Sequence, residues 1–421
     1  MHWLLCVVLS NDHPDGRING LIAIVPRCKA RKTGNHRLFT ELQATYYASL
    51  MRYSEVCLEG FGYTLPEQVV TSAEIEQWLE PVYERLRLPA GRLELMTGIR
   101  ERRFWHPGTR ASTKSIESAE RVIATTQIDK AQIGALVHGS VCRDHLEPAT
   151  ACRVHHELGL RSDCQIFDVS NACLGLLNGL LMVANMIELG QIRAGLIVGT
   201  ESSRPLVETT VRELNHDNSL TRDRIKLAVA SLTIGSASCA FLLTDRELSQ
   251  TDNRVMGAAV RARTDYHELC HSGADEAGHG MQPLMNTDSE KLMHEGITTG
   301  VETFADFLEQ MAWTPAEISK VFTHQVGAAH RKMMLDSLGL SAEIDFPTVS
   351  FLGNTGSVAL PISMAMGIEQ GHLRSGDQLA MLGIGSGINS VMIAVDWQRS
   401  LCEHPNPETL AVGVTGNTSA D

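Results

Sequence analysis

The stretch DVSNACLGLLNG, Asp168 to Gly179, sets a cysteine between a short apolar run and a helix-like segment rich in small residues. A thiol can attack an acyl carbon and hold the acyl group as a thioester, which makes Cys173 a candidate nucleophile. Its place at the head of an expected helix matters, because unpaired backbone N–H groups and the helix dipole there favour negative charge. A cysteine so placed can have a lowered pKa and react as the thiolate. The preceding CQIF reads as the buried end of a strand, and LGLLNGLLMVANMIELG is apolar almost all round, as a helix inside a large core would be. On this segment alone a merely packed cysteine is the more economical reading.

A repeat along the chain changes that balance. IGALVHGS, AGLIVGT, SKVFTHQ and QLAMLGIG read as near-continuous apolar strands, each followed by a helix, which predicts an α/β fold with covered sheets. MIELGQIRAG (Met186 to Gly195) resembles GIEQGHLRSG (Gly367 to Gly376), and AQIGALV (Ala131 to Val137) resembles AEISKVF (Ala316 to Phe322). The two pairs keep their order, and their offsets of 181 and 185 positions nearly agree, so a duplicated α/β half is expected. Carrying the first offset from Cys173 lands on Asn354, in SFLGNTGSVALP. Two related turns would then bring a cysteine and an asparagine to one site from opposite sides.

The 421 residues are 43% hydrophobic and 20% charged, enough for a large core. A formal net charge of −13 argues against a general binder of nucleic acid or anionic membranes, although GIRERR (Gly98 to Arg103) is locally basic. Ten cysteines without CxxC pairs suit reduced thiols in a cytoplasmic protein. No apolar run is long enough to span a bilayer, so no stable membrane insertion is expected. HELCH and VHHE lack a recognised zinc spacing, and GIGSG lacks the lysine of a P-loop, so neither metal nor cofactor is assigned. Residues 1–50 show little periodicity and read as a dispensable extension, disordered or not native, with Met51 a candidate start; residues 401–421 read as a polar tail. Between them lies one compact unit.

TGIRERRFW, FDVSNACLG, THQVGAAH and GNTGSVALP, in this order and spacing, resemble the thiolase superfamily, most closely its ketoacyl-ACP synthase III branch. The resemblance covers roughly Met51 to Trp397. It implies a five-layer αβαβα sandwich of two duplicated halves (51–230 with the nucleophile, 231–400 with its partners), usually a homodimer. It also implies that Cys173 carries the acyl group, with His324 and Asn354 as partners. Joining two acyl thioesters develops negative charge on two carbonyl oxygens, so two sets of oriented donors are required. By the resemblance, the Cys173 amide and the Ser386 amide in GIGSGINS hold the acyl-cysteine oxygen, and the His324 and Asn354 side chains hold the enolate oxygen of the second substrate. His324 could also assist formation of the Cys173 thiolate.

Glu147, in CRDHLEPATAC, stands 26 positions before Cys173. The synthases that initiate fatty-acid synthesis are similar here but place an apolar residue, because losing carbon dioxide from malonyl-ACP needs no base. A carboxylate suits removal of a proton from a plain acyl chain, and it resembles the OleA-type enzymes of olefin biosynthesis, which condense two fatty acyl-CoAs head to head into a β-keto acid. A helix cap before PATACRV is the alternative reading of Glu147. Where synthases of the initiating kind often carry an arginine before TGIRER, this chain has Met96; Arg100, Arg102 and Arg103 remain as candidate contacts for CoA phosphates. Met, Leu and Val in LLNGLLMVANM and in the segment around RIKLAVASL are candidate pocket walls. Rival readings are a decarboxylating 3-oxoacyl-ACP synthase III working with acyl carrier protein, a non-catalytic thiolase-fold partner subunit, and a cysteine hydrolase.

Overall fold

The segment VCLEGFGYT forms strand β3 (Val56–Thr64), buried at every position, and such a strand must sit mid-sheet with both faces covered. It does so in a computed structural model that describes residues 6–7, 22–23, 51–272 and 285–401. Residues 1–50 form a separate unit, in which β1 (Cys6–Val7) and β2 (Ile22–Ala23) pair antiparallel; the rest of that extension, and of the polar tail past Leu401, lies outside the described residues.

Within the unit that starts at Met51, nine strands form one mixed sheet. Besides β3 these are β6 (Ile133–His138), β7 (Gln165–Asp168), β8 (Ala194–Glu201), β9 (Ala237–Asp245), β10 (Arg254–Ala262), β13 (Lys320–Thr323), β14 (Asp377–Gly385) and β15 (Asn389–Trp397). Their order is β13-β14-β15-β10-β3-β9-β8-β6-β7. Two short pairs, β4 (Gln68–Thr71) with β5 (Glu101–Phe104) and β11 (Cys270–Ser272) with β12 (Met285–Thr287), lie apart from it.

The expected duplication is visible in this order. From β3 through β9, β8 and β6 the pairings run antiparallel, antiparallel, parallel, and from β10 through β15, β14 and β13 they run the same way. The two runs meet at β3 and β10, where the ladder contains the single residue pair Cys57 and Arg254. Because β9 pairs with both β3 and β8, the first half extends to Asp245, past the boundary at residue 230 that the sequence suggested.

Five layers follow from which faces are apolar. In β9, Cys239, Phe241 and Leu243 point into one core while Ala240 and Leu242 point into another, the period-two alternation of a strand covered on both sides. The longer helices are α1 (Ala111–Thr126), α2 (Thr150–Leu158), α3 (Gly175–Glu188), α4 (Arg204–His216), α5 (Ser289–Met311), α6 (Ala328–Leu338) and α7 (Ala359–Glu369). Helices α3 and α7 share the middle core with both half-sheets; α1 and α2 cover the first half from outside, and α5 and α6 cover the second. The leucines of α3 (Leu176, Leu177, Leu180 and Leu181) belong to that middle core rather than to a pocket. Strand β7 departs from expectation too. It is the sheet's edge, and none of its four residues is fully buried.

Candidate active site

Cys173 lies on the turn from β7 to α3, two residues before the helix begins. Ala172 has φ of 43°, a left-handed conformation costly for a residue with a Cβ, so the turn is held by its surroundings. Part of that hold is a close crossing: a Cβ on Gly175 would stand 2.9 Å from the carbonyl of Gly139, just past the end of β6. Asn171 donates to Asn178 Oδ1 at 2.8 Å, and Asn389 donates to Ser386 O at 3.1 Å and to Asn171 Oδ1 at 3.5 Å. These amides tie the cysteine turn to the loop between β14 and β15. The Cβ position of Gly385, one residue before Ser386, is 3.6 Å from the Cys173 Cβ.

The thiol does not have the lowered pKa expected of a helix start. Burial pushes it up to about 12, with Cys270 and Glu201 adding to the rise, while hydrogen bonding to the Ser386 and Cys173 amides pulls the other way. Those are the two amides expected to hold the acyl-cysteine oxygen, and both favour the charged form of the sulfur.

His324 follows β13, and its amide donates to Leu382 O at 3.0 Å, which continues the parallel ladder with β14. The ring is 3% exposed, and neither nitrogen has a hydrogen-bond partner among the described residues. Burial, reinforced by His330, drives its pKa down to about 3, and burial takes His330 down to about 4. Both imidazoles are therefore neutral at physiological pH. Cys173 therefore rests as the thiol and His324 as a neutral imidazole, so His324 is better suited to donating one N–H than to drawing off a thiol proton beforehand.

Asn354 is buried on the turn before α7, the counterpart of the cysteine turn before α3. Its amide donates to Thr233 O and its carbonyl accepts from Gly235, at 2.9 and 2.8 Å. Its Oδ1 accepts from the Gly356 amide at 3.0 Å, which leaves the Nδ2 group as the donor end of the side chain. A cavity of about 470 Å³ lies beside these residues, with Cys173, His324 and Asn354 themselves outside its lining: Met96, Leu227, Leu292, Met293, Ile384 and Ile388 give it apolar walls, and their neighbours Gly385, Thr233 and His330 also line it. The segment Asp223 to Ala230 thus forms part of a pocket wall, as its sequence suggested.

Glu147 stands apart from this group. It is exposed on the loop between β6 and α2. The capping alternative fails, because the first amides of α2, those of Thr150 and Ala151, donate to Asp168 at 2.7 and 2.9 Å. Of the three arginines, Arg102 cannot meet a phosphate: it is 0% exposed and donates to Ser72 Oγ and Leu232 O at 3.0 and 3.1 Å. Burial lowers its pKa to about 10. Arg103 is half-buried and bonded to Pro66 O, while Arg100 is exposed. Sequence reasoning passed over Glu201, His330 and the Asn171–Asn389 tie, since nothing in residue type alone marks them.

The thiolase N-terminal domain matches residues 96–245, and the C-terminal domain of 3-oxoacyl-[acyl-carrier-protein] synthase III matches residues 308–397. The first match ends at Asp245, where strand pairing ends the first half. An acyl-CoA:acyl-CoA alkyltransferase of Shewanella oneidensis is 44% identical over 351 residues, which cover 82% of this chain and 100% of that protein. Its namesake in Xanthomonas campestris is 32% identical over 347 residues, with coverage of 82% and 100%. The solved structure of a cysteine-to-alanine variant of Xanthomonas campestris OleA matches with a TM-score of 0.78 at 31% identity, over 83% of this chain and 99% of that one. The same OleA has been solved with substitutions at a glutamate and at a histidine, and the substituted glutamate precedes the substituted cysteine by 26 residues, the spacing of Glu147 and Cys173 here. With this fold, this duplicated pair of turns and these relatives, the chain belongs to the OleA-type acyl-CoA:acyl-CoA alkyltransferases of the thiolase superfamily.

Proposed function

We propose that this enzyme condenses two fatty acyl-CoA thioesters head to head into a β-keto acid product. The observation that carries this reading is the Cys173 turn, which sets the Cys173 Cβ 3.6 Å from the Cβ position of Gly385, a residue that lines a mostly apolar cavity of about 470 Å³. In the first step the Cys173 sulfur attacks the thioester carbon of one acyl-CoA; the thiol proton leaves as the bond forms, and CoA departs as its thiol. The Cys173 and Ser386 amides hold the oxygen of the resulting acyl-enzyme. In the second step the α-carbon of another acyl-CoA loses a proton and attacks the acyl carbon, expelling Cys173. The His324 and Asn354 side chains, one neutral and one with its oxygen already engaged, hold the enolate oxygen. Hydrolysis of the remaining CoA thioester then releases the β-keto acid.

Glu147 is the base in this scheme. Its spacing from the nucleophile supports the role, and its exposed loop, with Val141 and Leu146 46% and 57% exposed, suits contact with a second subunit of a homodimer. The described cysteines are free thiols, which agrees with a cytoplasmic setting, and the kinship with OleA supports a role in olefin biosynthesis.

Mass spectrometry of the enzyme incubated with myristoyl-CoA alone, followed by product analysis, tests the scheme. The expected result is an acyl adduct at Cys173 and a long-chain ketone from decarboxylation of the β-keto acid. Cys173→Ala should lose the adduct, and Glu147→Gln should keep the adduct and lose the ketone. An acyl-enzyme that turns over only with malonyl-ACP would instead make the enzyme a decarboxylating synthase.

A further inference from the structure

Glu201 closes strand β8 and has no part in the steps above. It is 5% exposed and makes no ion pair among the described residues. Burying a carboxylate without a counter-ion is costly, and its hydrogen bonds must compensate. Its Oε1 accepts from Ser357 Oγ at 2.6 Å and from the Val141 amide at 3.1 Å, and its Oε2 accepts from the Cys142 amide at 3.3 Å. Two segments therefore meet on one side chain.

The first is the turn that sets Asn354. Gly356, whose amide fixes the Asn354 Oδ1, has φ of 57°, and a Cβ on it would stand 3.2 Å from the Glu201 Cγ. Ser357, the next residue, is bonded to the Glu201 carboxylate. The second segment, Val141 and Cys142, begins the loop that leads to Glu147. The backbone of Glu201 adds a third tie, since Trp105 Nε1 donates to its carbonyl at 3.0 Å.

We infer that Glu201 is a positioning residue for carbon–carbon bond formation, clamping the Asn354 turn and the Glu147 loop into one frame through Ser357, Val141 and Cys142. The inference rests on the condensation proposed above and assigns Glu201 to its second half. Acylation of Cys173 draws on the Cys173 and Ser386 amides, to which Glu201 makes no hydrogen bond; its negative charge only adds to the rise in the thiol pKa, so removing it does not slow this step. Enolate formation draws on Asn354 and Glu147, and both are on segments that Glu201 holds.

The two half-reactions separate the roles. Single-turnover acylation is followed by mass spectrometry with myristoyl-CoA, and condensation is followed by product formation from pre-acylated enzyme and a second portion of myristoyl-CoA. In Glu201→Ala, acylation should stay within about threefold of the parent while condensation falls on the order of 10²-fold, the effect of a misplaced donor. Glu201→Gln keeps an oxygen for Ser357 and Val141 and should recover to within about tenfold. Ser357→Ala removes one bond of the clamp and should lose less, in the same step, so it carries the test if Glu201→Ala does not fold. Equal loss in both half-reactions would make Glu201 merely structural, and unchanged condensation would remove the role. Glu201→Gln as impaired as Glu201→Ala would assign the effect to charge and overturn the clamp. A parent enzyme that takes no acyl group would instead overturn the functional reading, and this inference with it.

Discussion

A thiol held near pKa 12 is not a spontaneously reactive one. Burial favours the neutral form, so ionisation, and with it reaction with iodoacetamide, is expected to be slow at neutral pH. The Cys173 alkylation rate should keep rising above pH 9 instead of levelling off, and a plateau below pH 8 would contradict the geometry. The histidines act in the opposite sense. His324 and His330 are neutral in the folded state down to about pH 3 and 4, whereas in the unfolded chain they take up protons near 6.5. Their contribution to stability is present above pH 6.5 and is lost as pH falls from there towards 3. The same shift removes any histidine limb from the condensation pH profile between 5 and 8. At this scale the sequence was partly legible: the offset between repeats led from Cys173 to Asn354 without any structure. Arg102 was illegible, because a surface arginine and a buried one bonded to a carbonyl and a hydroxyl read alike until Ser72 and Leu232 are placed beside it.

At the scale of elements, the nucleophile depends on a crossing between two backbones. The first residue of α3 passes so near the end of β6 that Gly175 leaves no room for a methyl group, with Gly139 carbonyl atoms 2.9 Å from its Cβ position. Gly175→Ala should cost about 1–3 kcal/mol in urea unfolding and displace the Cys173 turn, so that acyl-adduct formation falls by more than stability alone explains. Equal stability and unchanged acylation would show that the crossing yields freely. Most elements were readable beforehand, since β6, β8, β13 and β14 are apolar runs of strand length. β7 was misjudged for a physical reason: an apolar pair such as Ile166 and Phe167 occurs in edge strands as readily as in central ones, and only the neighbour count of the sheet tells them apart. The capping of α2 by Asp168 was likewise invisible, because donor and acceptor are far apart along the chain.

For the whole molecule, the three sheet-packing cores, among the described residues, run from Tyr53 to Trp397, and relatives are matched along their full length by about that span. A chain starting at Met51 should therefore melt within about 3 °C of the full chain and retain condensation; a larger loss would give residues 1–50 a structural role. The duplication was legible in outline, but its boundary was not. Strand β9 belongs to the first half by pairing, and pairing is a relation between distant segments that no local pattern records.

The seam between β3 and β10 carries one further consequence. The ladder proper has one residue pair, and the bridge of Arg52 to Gly257 with backbone bonds from Tyr53 to Met256, Ala258 to Met51 and Leu58 to Asn253 sews the runs together beside it, while the packed side chains of the middle layer hold the helices between them. Cys173 and Asn354 stand on the turns before α3 and α7, the two helices that fill that layer. The spacing between the two carbons to be joined thus depends on how the core between α3 and α7 is packed. Substitutions there, remote from every reacting atom, would tune the enzyme as a spacer tunes a gap.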